Sequence, residues 1–218
     1  MDKTTERRSP VLSPRYLFFD FVKFTAAIPG LLIYRPKTVY LDPTARQCLR
    51  EGALLIANHI GFFDPIYLQL AVWYRRHHFI CAKEFFDKRF TALLFRGFLC
   101  IPVDRENFGM RSFRTITEHL RRGDLVSMFP EGHVNQDDRA LASFKSGMVL
   151  MALRSGRPIV PIYVRRRRHF FDRLTAVVGQ PLKPEEIGGG QMSVAQIEAA
   201  AELLYRREQA LKDYLDHA

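Results

Sequence analysis

The stretch that decides the fold is Ala53-Leu54-Leu55-Ile56-Ala57-Asn58-His59-Ile60-Gly61-Phe62-Phe63-Asp64-Pro65. Its first five residues are all apolar, which is typical of a strand buried on both faces of a parallel sheet. Asp64-Pro65 predicts a helix start, with Asp64 as the N-cap and Pro65 at the first helical position. His59 is therefore expected at the carboxyl end of a strand, where α/β sheets bind their ligands.

On both sides of this stretch, apolar runs of strand length alternate with segments of helix length. The predicted strands are 38–41, 53–57, 79–82, 99–103, 125–129, 159–164 and 174–178. The predicted helices are 65–73, 84–95, 110–121, 143–155 and 193–217. This βα alternation predicts an α/β fold, with a single domain over residues 37–218 whose largely parallel sheet is flanked by helices. Residues 1–36 are predicted to be a disordered start followed by an aromatic-rich amphipathic helical segment.

Composition limits the classes of partner. The chain has 218 residues, 47% of them hydrophobic, and a net charge of +10, so a positive surface is expected to attract phospholipid headgroups, nucleic acid or an acidic carrier. Charge alone does not choose among them. Cys48, Cys81 and Cys100 lack metal-type spacing, so we expect no disulfide, no zinc and no other metal.

The segment from Tyr16 to Tyr34 is the most lipophilic part of the chain. Asp20, Lys23 and the late Pro29-Gly30 make it a poor bilayer span, because a spanning helix needs about 20 largely uncharged residues. It is suited to the headgroup boundary, where cations at 7, 8, 15 and 23 would anchor it, or to packing on the protein's own core. No cleavable signal peptide is predicted, since residues 1–14 lack an apolar centre.

His59 and Asp64 have the residue types of a general base and the carboxylate that orients it. Asp64 can serve as a helix cap and as the imidazole's partner at once, because a carboxylate accepts several hydrogen bonds. The plain alternative is a structural histidine beside a simple N-cap. The strand-end position, together with the capping carboxylate, favours a catalytic pair.

Four more groups follow predicted strands. They are Lys83, Asp104-Arg105, Pro130-Glu131-Gly132, and the strand segment Val160-Pro161-Ile162. Because carboxyl ends of parallel neighbours lie at one edge of a sheet, these groups are expected to meet His59 at a common cleft. Taken singly, each also has a plain structural explanation, such as a solvated turn or a surface ion pair.

In order, these blocks resemble those of the lysophosphatidic acid acyltransferase family, the glycerophospholipid acyltransferases marked by NHxxxxD. The matching residues are Asn58-His59 with Asp64, Gly97 with Ile101-Pro102-Val103-Asp104-Arg105, Phe129-Pro130-Glu131-Gly132, and Val160-Pro161-Ile162. The resemblance covers about half of the chain. A lone HxxxxD is a weak signal, whereas four blocks in order are specific.

The resemblance implies transfer of a fatty acyl group from a thioester to a hydroxyl of a lysophospholipid, at the cytoplasmic side of a membrane, with peripheral or monotopic attachment. The thioester would be carried by coenzyme A or acyl carrier protein as a co-substrate, with no cofactor. His59 would be the base and Asp64 its orienter. Arg105 with Lys83 would contact the acceptor phosphate, and Glu131 and Gly132 would shape the glycerol site. The apolar side chains at 85, 86, 90, 93, 94 and 98 would line an acyl tunnel or form ordinary core.

Two departures from the family pattern bear on the acceptor. Gly61 stands where Ser is common. His133-Val134-Asn135 stands where Thr-Arg-Ser is common, so a possible phosphate ligand is missing. Lys145 is the candidate replacement, and the runner-up hypothesis is an acyltransferase for another lysolipid or for an acceptor without phosphate.

Two rivals come from other classes. The pI of about 9.8 and the run Arg165-Arg166-Arg167-Arg168 fit a nucleic-acid-binding module, but no nucleic-acid motif is present and the His59 and Asp64 pair would be unexplained. The second rival is a lipid-binding relative without activity. The arginine run also fits an anionic lipid surface, a solvated loop or a dock for acyl carrier protein.

Overall fold

The computed structural model describes residues 16–104, 108–132, 144, 146–165, 167, 169, 172–188 and 193–217. Seven strands form one sheet in the order β1-β7-β6-β2-β5-β3-β4. All neighbours are parallel except β6 and β7. The strands are β1 (Lys37–Tyr40), β2 (Leu54–Ala57), β3 (His77–Ala82), β4 (Ile101–Val103), β5 (Leu125–Met128), β6 (Ile159–Val164) and β7 (Thr175–Val178). The predicted α/β class with a largely parallel sheet is confirmed.

Helices connect and cover these strands. They are α1 (Leu17–Tyr34), α2 (Pro43–Glu51), α3 (Asp64–Ala71), α4 (Arg89–Gly97), α5 (Met110–Arg121), α6 (Gly147–Ser155), α7 (Pro184–Ile187) and α8 (Val194–Asp216). A short 3-10 helix, Lys83–Phe86, follows β3 directly. The sequence patterns missed α2 and α7.

The central strand β2 shows why the apolar run is continuous. Leu55 and Ala57 belong to a core cluster with residues of α2 and α3, and Leu54 and Ile56 belong to a second cluster with residues of α5, α6 and α8. All four side chains are fully buried. Helices therefore cover both faces of the sheet, and every position of β2 must be apolar.

The prediction of one continuous helix over residues 84–95 was wrong, because the structure has two short helices there. The chain forms the 3-10 helix, then extends at Lys88 (φ −95°, ψ 136°), and only then begins α4. Phe85 folds back to stack on Phe95, with ring centroids 4.7 Å apart. This contact across the break favours two short helices over one long one.

In α8, Ser193 is the N-cap, but the predicted core residue Leu203 is 41% exposed.

Helix α1 packs against the body of the protein through specific contacts. Asp20 accepts two hydrogen bonds from Arg76, at 2.8 and 2.7 Å. The Phe18 ring meets Phe98 edge to face at 5.5 Å. At Gly97, a Cβ would lie 2.5 Å from a Phe18 ring carbon, so glycine is required for this approach.

The apolar residues of α1 lie on two faces of the helix, one against the protein and one exposed. Phe19 and Val22 line a cleft in the protein, whereas Phe21 and Phe24 are 68% and 69% exposed. No single helix in the described part of the chain is long and apolar enough to cross a membrane. The two halves of α1, Leu17–Ala26 and Ile28–Tyr34, meet that test only together, across a 41° bend.

Candidate active site

The centre of the site is the pair formed by His59 and Asp64. His59 Nδ1 lies 2.8 Å from Asp64 Oδ2, and the carboxylate is almost completely buried at 3% exposure. Because a carboxylate only accepts hydrogen bonds, the Nδ1 proton is donated to it. Nε2 of the ring is then left as the acceptor, which is the tautomer that a general base requires.

Asp64 is held by the turn that precedes it. Its Oδ2 accepts the backbone N–H groups of Ile60 at 2.7 Å and Gly61 at 2.9 Å. Phe63 is the N-cap of α3 and Asp64 is its first residue, one position from the prediction. The carboxylate therefore turns back to organise the loop that carries His59. The Gly61 N–H is thus committed to this carboxylate.

None of the further contacts around His59 was predicted from the sequence. Its N–H donates to Glu131 Oε1 at 3.2 Å, and its ring stacks on Phe129 with centroids 4.2 Å apart and planes 16° apart. Asn58 joins the end of β2 to β6, since its amide donates to the Val164 carbonyl at 3.0 Å and accepts the Val164 N–H at 2.9 Å.

These contacts follow from the strand order. β2 lies between β5 and β6, with Ile56 paired to Met128 on one side and to Pro161 on the other. The residues just after each strand consequently meet at the carboxyl edge of the sheet. The sequence predicted that these residues meet. In the structure, Glu131 accordingly lies against the His59 backbone.

A large apolar cleft opens beside His59. Its volume is about 1480 Å³, and His59 and Gly132 line it together with residues of α1, β3 and α6. Of the side chains suggested for an acyl tunnel, those at 85, 94 and 98 line the cleft, whereas Phe90 and Leu93 are 77% and 73% exposed. Pockets that bind drug-sized ligands have volumes of about 300–1,000 Å³. This cleft is larger, so it can hold a fatty acyl chain.

The predicted phosphate ligands are only partly described. Lys83 forms an ion pair with Asp104 at 2.5 Å, with the Lys83 side chain 54% exposed. Asp104 also lines the cleft. Arg105, His133 and Lys145 lie outside the described residues.

Glu131 and the fourth block, Val160-Pro161-Ile162, are buried. Glu131 is 4% exposed and hydrogen-bonded to the His59 backbone, while the neighbouring Gly132, with φ of 74°, borders the cleft. Val160 and Ile162 are fully buried in the core. Arg167 of the arginine run lies over the Tyr34 ring at 4.3 Å, so this guanidinium contacts the protein itself.

The comparison with protein families assigns this arrangement. The family model described as Acyltransferase matches residues 37–165, which include β1 to β6, the His59 and Asp64 pair, and Glu131. This chain belongs to the acyltransferase family. The resemblance seen in the four ordered blocks is thereby confirmed at the level of the family, and the chain is an acyltransferase.

Relatives of this acyltransferase carry more specific names. A 1-acyl-sn-glycerol-3-phosphate acyltransferase from Bacillus subtilis is 27% identical over 192 residues, which are 86% of this chain and 90% of the relative. One of the same name from Streptococcus pneumoniae is 28% identical over 113 residues, 51% of this chain and 41% of that protein.

A solved structure shares the fold. The crystal structure of the 1-acyl-sn-glycerophosphate (LPA) acyltransferase PlsC from Thermotoga maritima matches with a TM-score of 0.62 and 18% identity, over 91% of this chain and 80% of that chain. The match therefore extends beyond the family region, to nearly the whole acyltransferase described above.

Proposed function

We propose that this acyltransferase moves a fatty acyl group from an acyl thioester to the free hydroxyl of lysophosphatidic acid, at a membrane surface. The observation that carries the proposal is the His59 and Asp64 pair set at the wall of an apolar cleft. The base lies where an acyl chain and an acceptor headgroup would meet. The names of the relatives supply the acceptor.

In the proposed mechanism His59 Nε2 accepts the proton of the acceptor hydroxyl as its oxygen attacks the thioester carbonyl. Asp64 stabilises the imidazolium that forms, because its Oδ2 already accepts the hydrogen bond from Nδ1, with the two atoms 2.8 Å apart. Collapse of the tetrahedral intermediate breaks the C–S bond, and the proton on His59 passes to the leaving thiolate. The products are the ester and the free thiol, with no covalent acyl-enzyme.

Contacts with the fixed backbone support this role for His59. A misplaced base loses efficiency quickly, since reacting groups must lie within hydrogen-bonding reach. The Phe129 ring limits rotation of the imidazole by stacking on it at 4.2 Å, and Glu131 anchors the His59 backbone. Phe129 and Glu131 therefore act as positioning residues in this proposal.

The arginine usual after the third block is replaced by His133-Val134, so an acceptor phosphate would need another cation. Lys83 is the described member of the predicted phosphate-binding pair, and its ammonium lies 2.5 Å from Asp104, which lines the cleft. A phosphate would compete with Asp104 for this ammonium. An acceptor without phosphate would leave the ion pair intact, and for that reason it remains the second candidate.

Membrane attachment is proposed from the exposed apolar surface around the cleft. Exposed fractions are 73% for Leu32, 78% for Phe62, 53% for Trp73 and 77% for Phe90. Phe62 and Trp73 also line the cleft, so a lipid acceptor would enter directly from the surface that these residues contact. Apolar patches of this kind mark membrane or protein contact sites.

The reaction is tested with labelled acyl-CoA and acyl-acyl carrier protein, each offered with lysophosphatidic acid, lysophosphatidylcholine and monoacylglycerol. The expected result is a diacyl product from lysophosphatidic acid that disappears in His59→Ala. Monoacylglycerol is the matched acceptor without phosphate, so equal rates with both would assign the second candidate. If no acceptor yields an ester that depends on His59, the proposal is wrong.

Membrane attachment is tested separately through Trp73, the single tryptophan of the chain. Vesicles containing anionic phospholipid should shift its fluorescence to shorter wavelength, because the indole leaves water. The double variant Phe21→Ser with Phe24→Ser should weaken this shift. Val194→Ser is the control, since Val194 is 71% exposed at the start of α8. An unchanged spectrum with vesicles would contradict attachment by this surface.

A further inference from the structure

A cluster of side chains that could bind a metal ion lies at the amino edge of the sheet, opposite the edge that carries His59. His78, His119 and Asp124 each offer a ligand atom, and these atoms all lie within 4.8 Å of one another. The two imidazole rings have centroids 4.6 Å apart. His78 stands near the start of β3, so the length of the strand, roughly 3.3 Å per residue over five residues or about 16 Å, separates this cluster from Lys83 at the other edge.

The backbone fixes the three positions. β3 pairs with β5 so that His78 is opposite Val126, two residues after Asp124. The turn between α5 and β5 is held by backbone hydrogen bonds, since Gly123 N–H donates to the Leu120 carbonyl at 2.9 Å and Asp124 N–H donates to the His119 carbonyl at 3.1 Å. Three separate elements thus present their side chains to one point.

The turn is also closely packed against the loop before β2. A Cβ at Gly52 would lie 2.5 Å from the Gly123 backbone, and Gly123 itself has φ of 80°. Both positions favour glycine for conformational reasons. The backbone beneath Asp124 therefore has little freedom, and the carboxylate is presented in a fixed direction.

We infer that His78, His119 and Asp124 bind one Zn²⁺ ion, with water in the fourth position. Two imidazole nitrogens and one carboxylate oxygen form a donor set that zinc accepts in tetrahedral geometry. Bonds of about 2.0–2.1 Å hold tetrahedral ligands about 3.3 Å apart, so modest side-chain rotation closes the observed cluster onto an ion. The His119 and Asp124 side chains are 12% and 16% exposed, which leaves a path for the ion and its water.

The positive charge of Arg75 near Asp124 disfavours Ca²⁺ and Mg²⁺ at this cluster. Arg75 is close enough to Asp124 for electrostatic interaction, and its guanidinium is fixed by the carbonyls of Arg50 and Gly123 at 2.6 and 2.5 Å. A single carboxylate facing a guanidinium gives little net attraction for Ca²⁺ or Mg²⁺, which also need about six oxygen ligands. Affinity must come from the imidazoles, which favours Zn²⁺ and similar transition metals.

A bound ion would join the start of β3, the end of α5 and the start of β5. Because the unfolded chain does not hold these residues together, the ion would bind the native state and raise its stability by mass action. This site goes beyond the proposed acyl transfer and does not depend on it. The absence of cysteine ligands explains why the spacing of cysteines gave no sign of it.

The test uses the full chain without an affinity tag, dialysed against a chelator and then titrated with Zn²⁺ by calorimetry. We expect one saturable site, a higher melting temperature with zinc, and no comparable response to Mg²⁺ or Ca²⁺. Co²⁺ in place of Zn²⁺ should give the intense visible absorption of a tetrahedral site. His78→Ala and Asp124→Asn should each weaken binding by more than about tenfold, the scale set by losing a contact at a metal site.

Two controls keep the result specific. His217→Ala removes the histidine just after α8 and should leave zinc binding unchanged. His59→Ala should also leave it unchanged, so loss of binding in that variant would assign the ion to the catalytic pair and overturn the inference. The cobalt spectrum of each variant, recorded with its circular dichroism, separates a missing ligand from a failure to fold. Absence of a saturable site, or binding that survives His78→Ala, would equally overturn it.

Discussion

The two edges of the sheet carry nearly the same pair of side chains. His59 with Asp64 and His119 with Asp124 both have the spacing HxxxxD, and both place Nδ1 2.8 Å from Oδ2. The spacing also occurs a third time in the sequence, at His133 and Asp138, outside the described residues. A histidine and an aspartate at this spacing therefore do not define an active site.

The surroundings separate the two pairs. His59 follows β2, stacks on Phe129 and borders the apolar cleft. His119 lies in the last turn of α5 beside His78, outside the residues that line the cleft. A base needs space for a substrate at its free nitrogen, so the first pair is suited to proton transfer and the second to holding an ion.

The largest test of this difference removes each histidine in turn. We expect His59→Ala to lower the rate of acyl transfer by about 10²–10⁴-fold, the usual contribution of a positioned general base. His119→Ala, assayed in metal-free buffer, should lose less than about threefold, since the rate would not depend on a pair outside the cleft. The measurement is ester formation from labelled acyl thioester. Equal losses in the two variants would remove the functional distinction between the edges.

The carboxylates offer the next test. Asp64→Asn should lower kcat by about 10²–10⁴-fold, because a neutral amide neither fixes the tautomer nor stabilises the imidazolium. Asp124→Asn is the matched change at the other pair and should leave kcat within a few-fold. Retained kcat in Asp64→Asn would mean that the orientation of His59 comes from Phe129 and Glu131 instead.

At the amino edge, His77 should make the free energy of unfolding depend on pH in the acidic range. Burial lowers the pKa of His77 to about 3 from 6.5, and its Nδ1 lies 2.8 Å from Ser127 Oγ. The unfolded chain takes up a proton below pH 6.5 that the folded chain refuses, so stability is present above pH 6.5 and is lost as the pH falls towards 3. His77→Gln should abolish this part of the decline, up to about 1.4 kcal/mol per pH unit.

Urea denaturation at pH 7.5, 6, 5 and 4 measures that slope for wild type and His77→Gln. Other titrating groups contribute to both proteins and cancel in the difference. A difference that stays constant across this range would show that folding does not lower the pKa of His77.

The carboxyl edge should show the opposite dependence through Glu208. This α8 residue is fully buried, and neither carboxylate oxygen has a hydrogen-bond partner among the described residues. Burial, followed by the nearby Glu131 charge, raises its pKa well above 4.5. The folded chain then binds a proton that the unfolded chain has lost, so stability falls as the pH rises above 4.5.

Glu208→Gln should accordingly raise the melting temperature at pH 8 and change it little at pH 4.5. Each kcal/mol recovered corresponds to about 2–4 °C for a chain of this size. Thermal unfolding at the two pH values gives the comparison. A variant that is less stable than wild type at pH 8 would indicate that the Glu208 carboxylate is ionised and stabilising in the folded protein.

Much of the architecture was predictable because local patterns agree with the global fold. The predicted strand 159–164 and the helix 110–121 match β6 and α5 to the residue. Two features were missed for local reasons. Helix α2 is strongly polar, and Asp42 caps it by accepting the Thr44 N–H at 2.7 Å. The break at Lys88 depends on the stacking of Phe85 on Phe95. In α2 only Ala45, Cys48 and Leu49 carry the apolar period, and the break at Lys88 leaves no such pattern in the sequence.

The sequence by itself determined a largely parallel α/β sheet, a histidine at the end of one of its strands and a carboxylate five residues later, because burial on both faces and helix capping are local requirements. Only the tertiary structure decided which HxxxxD pair borders the cleft, that Glu131 supports the His59 backbone, and that His78 joins His119 and Asp124. Those facts depend on strand order and register, which bring together residues far apart in the chain and which no short pattern records.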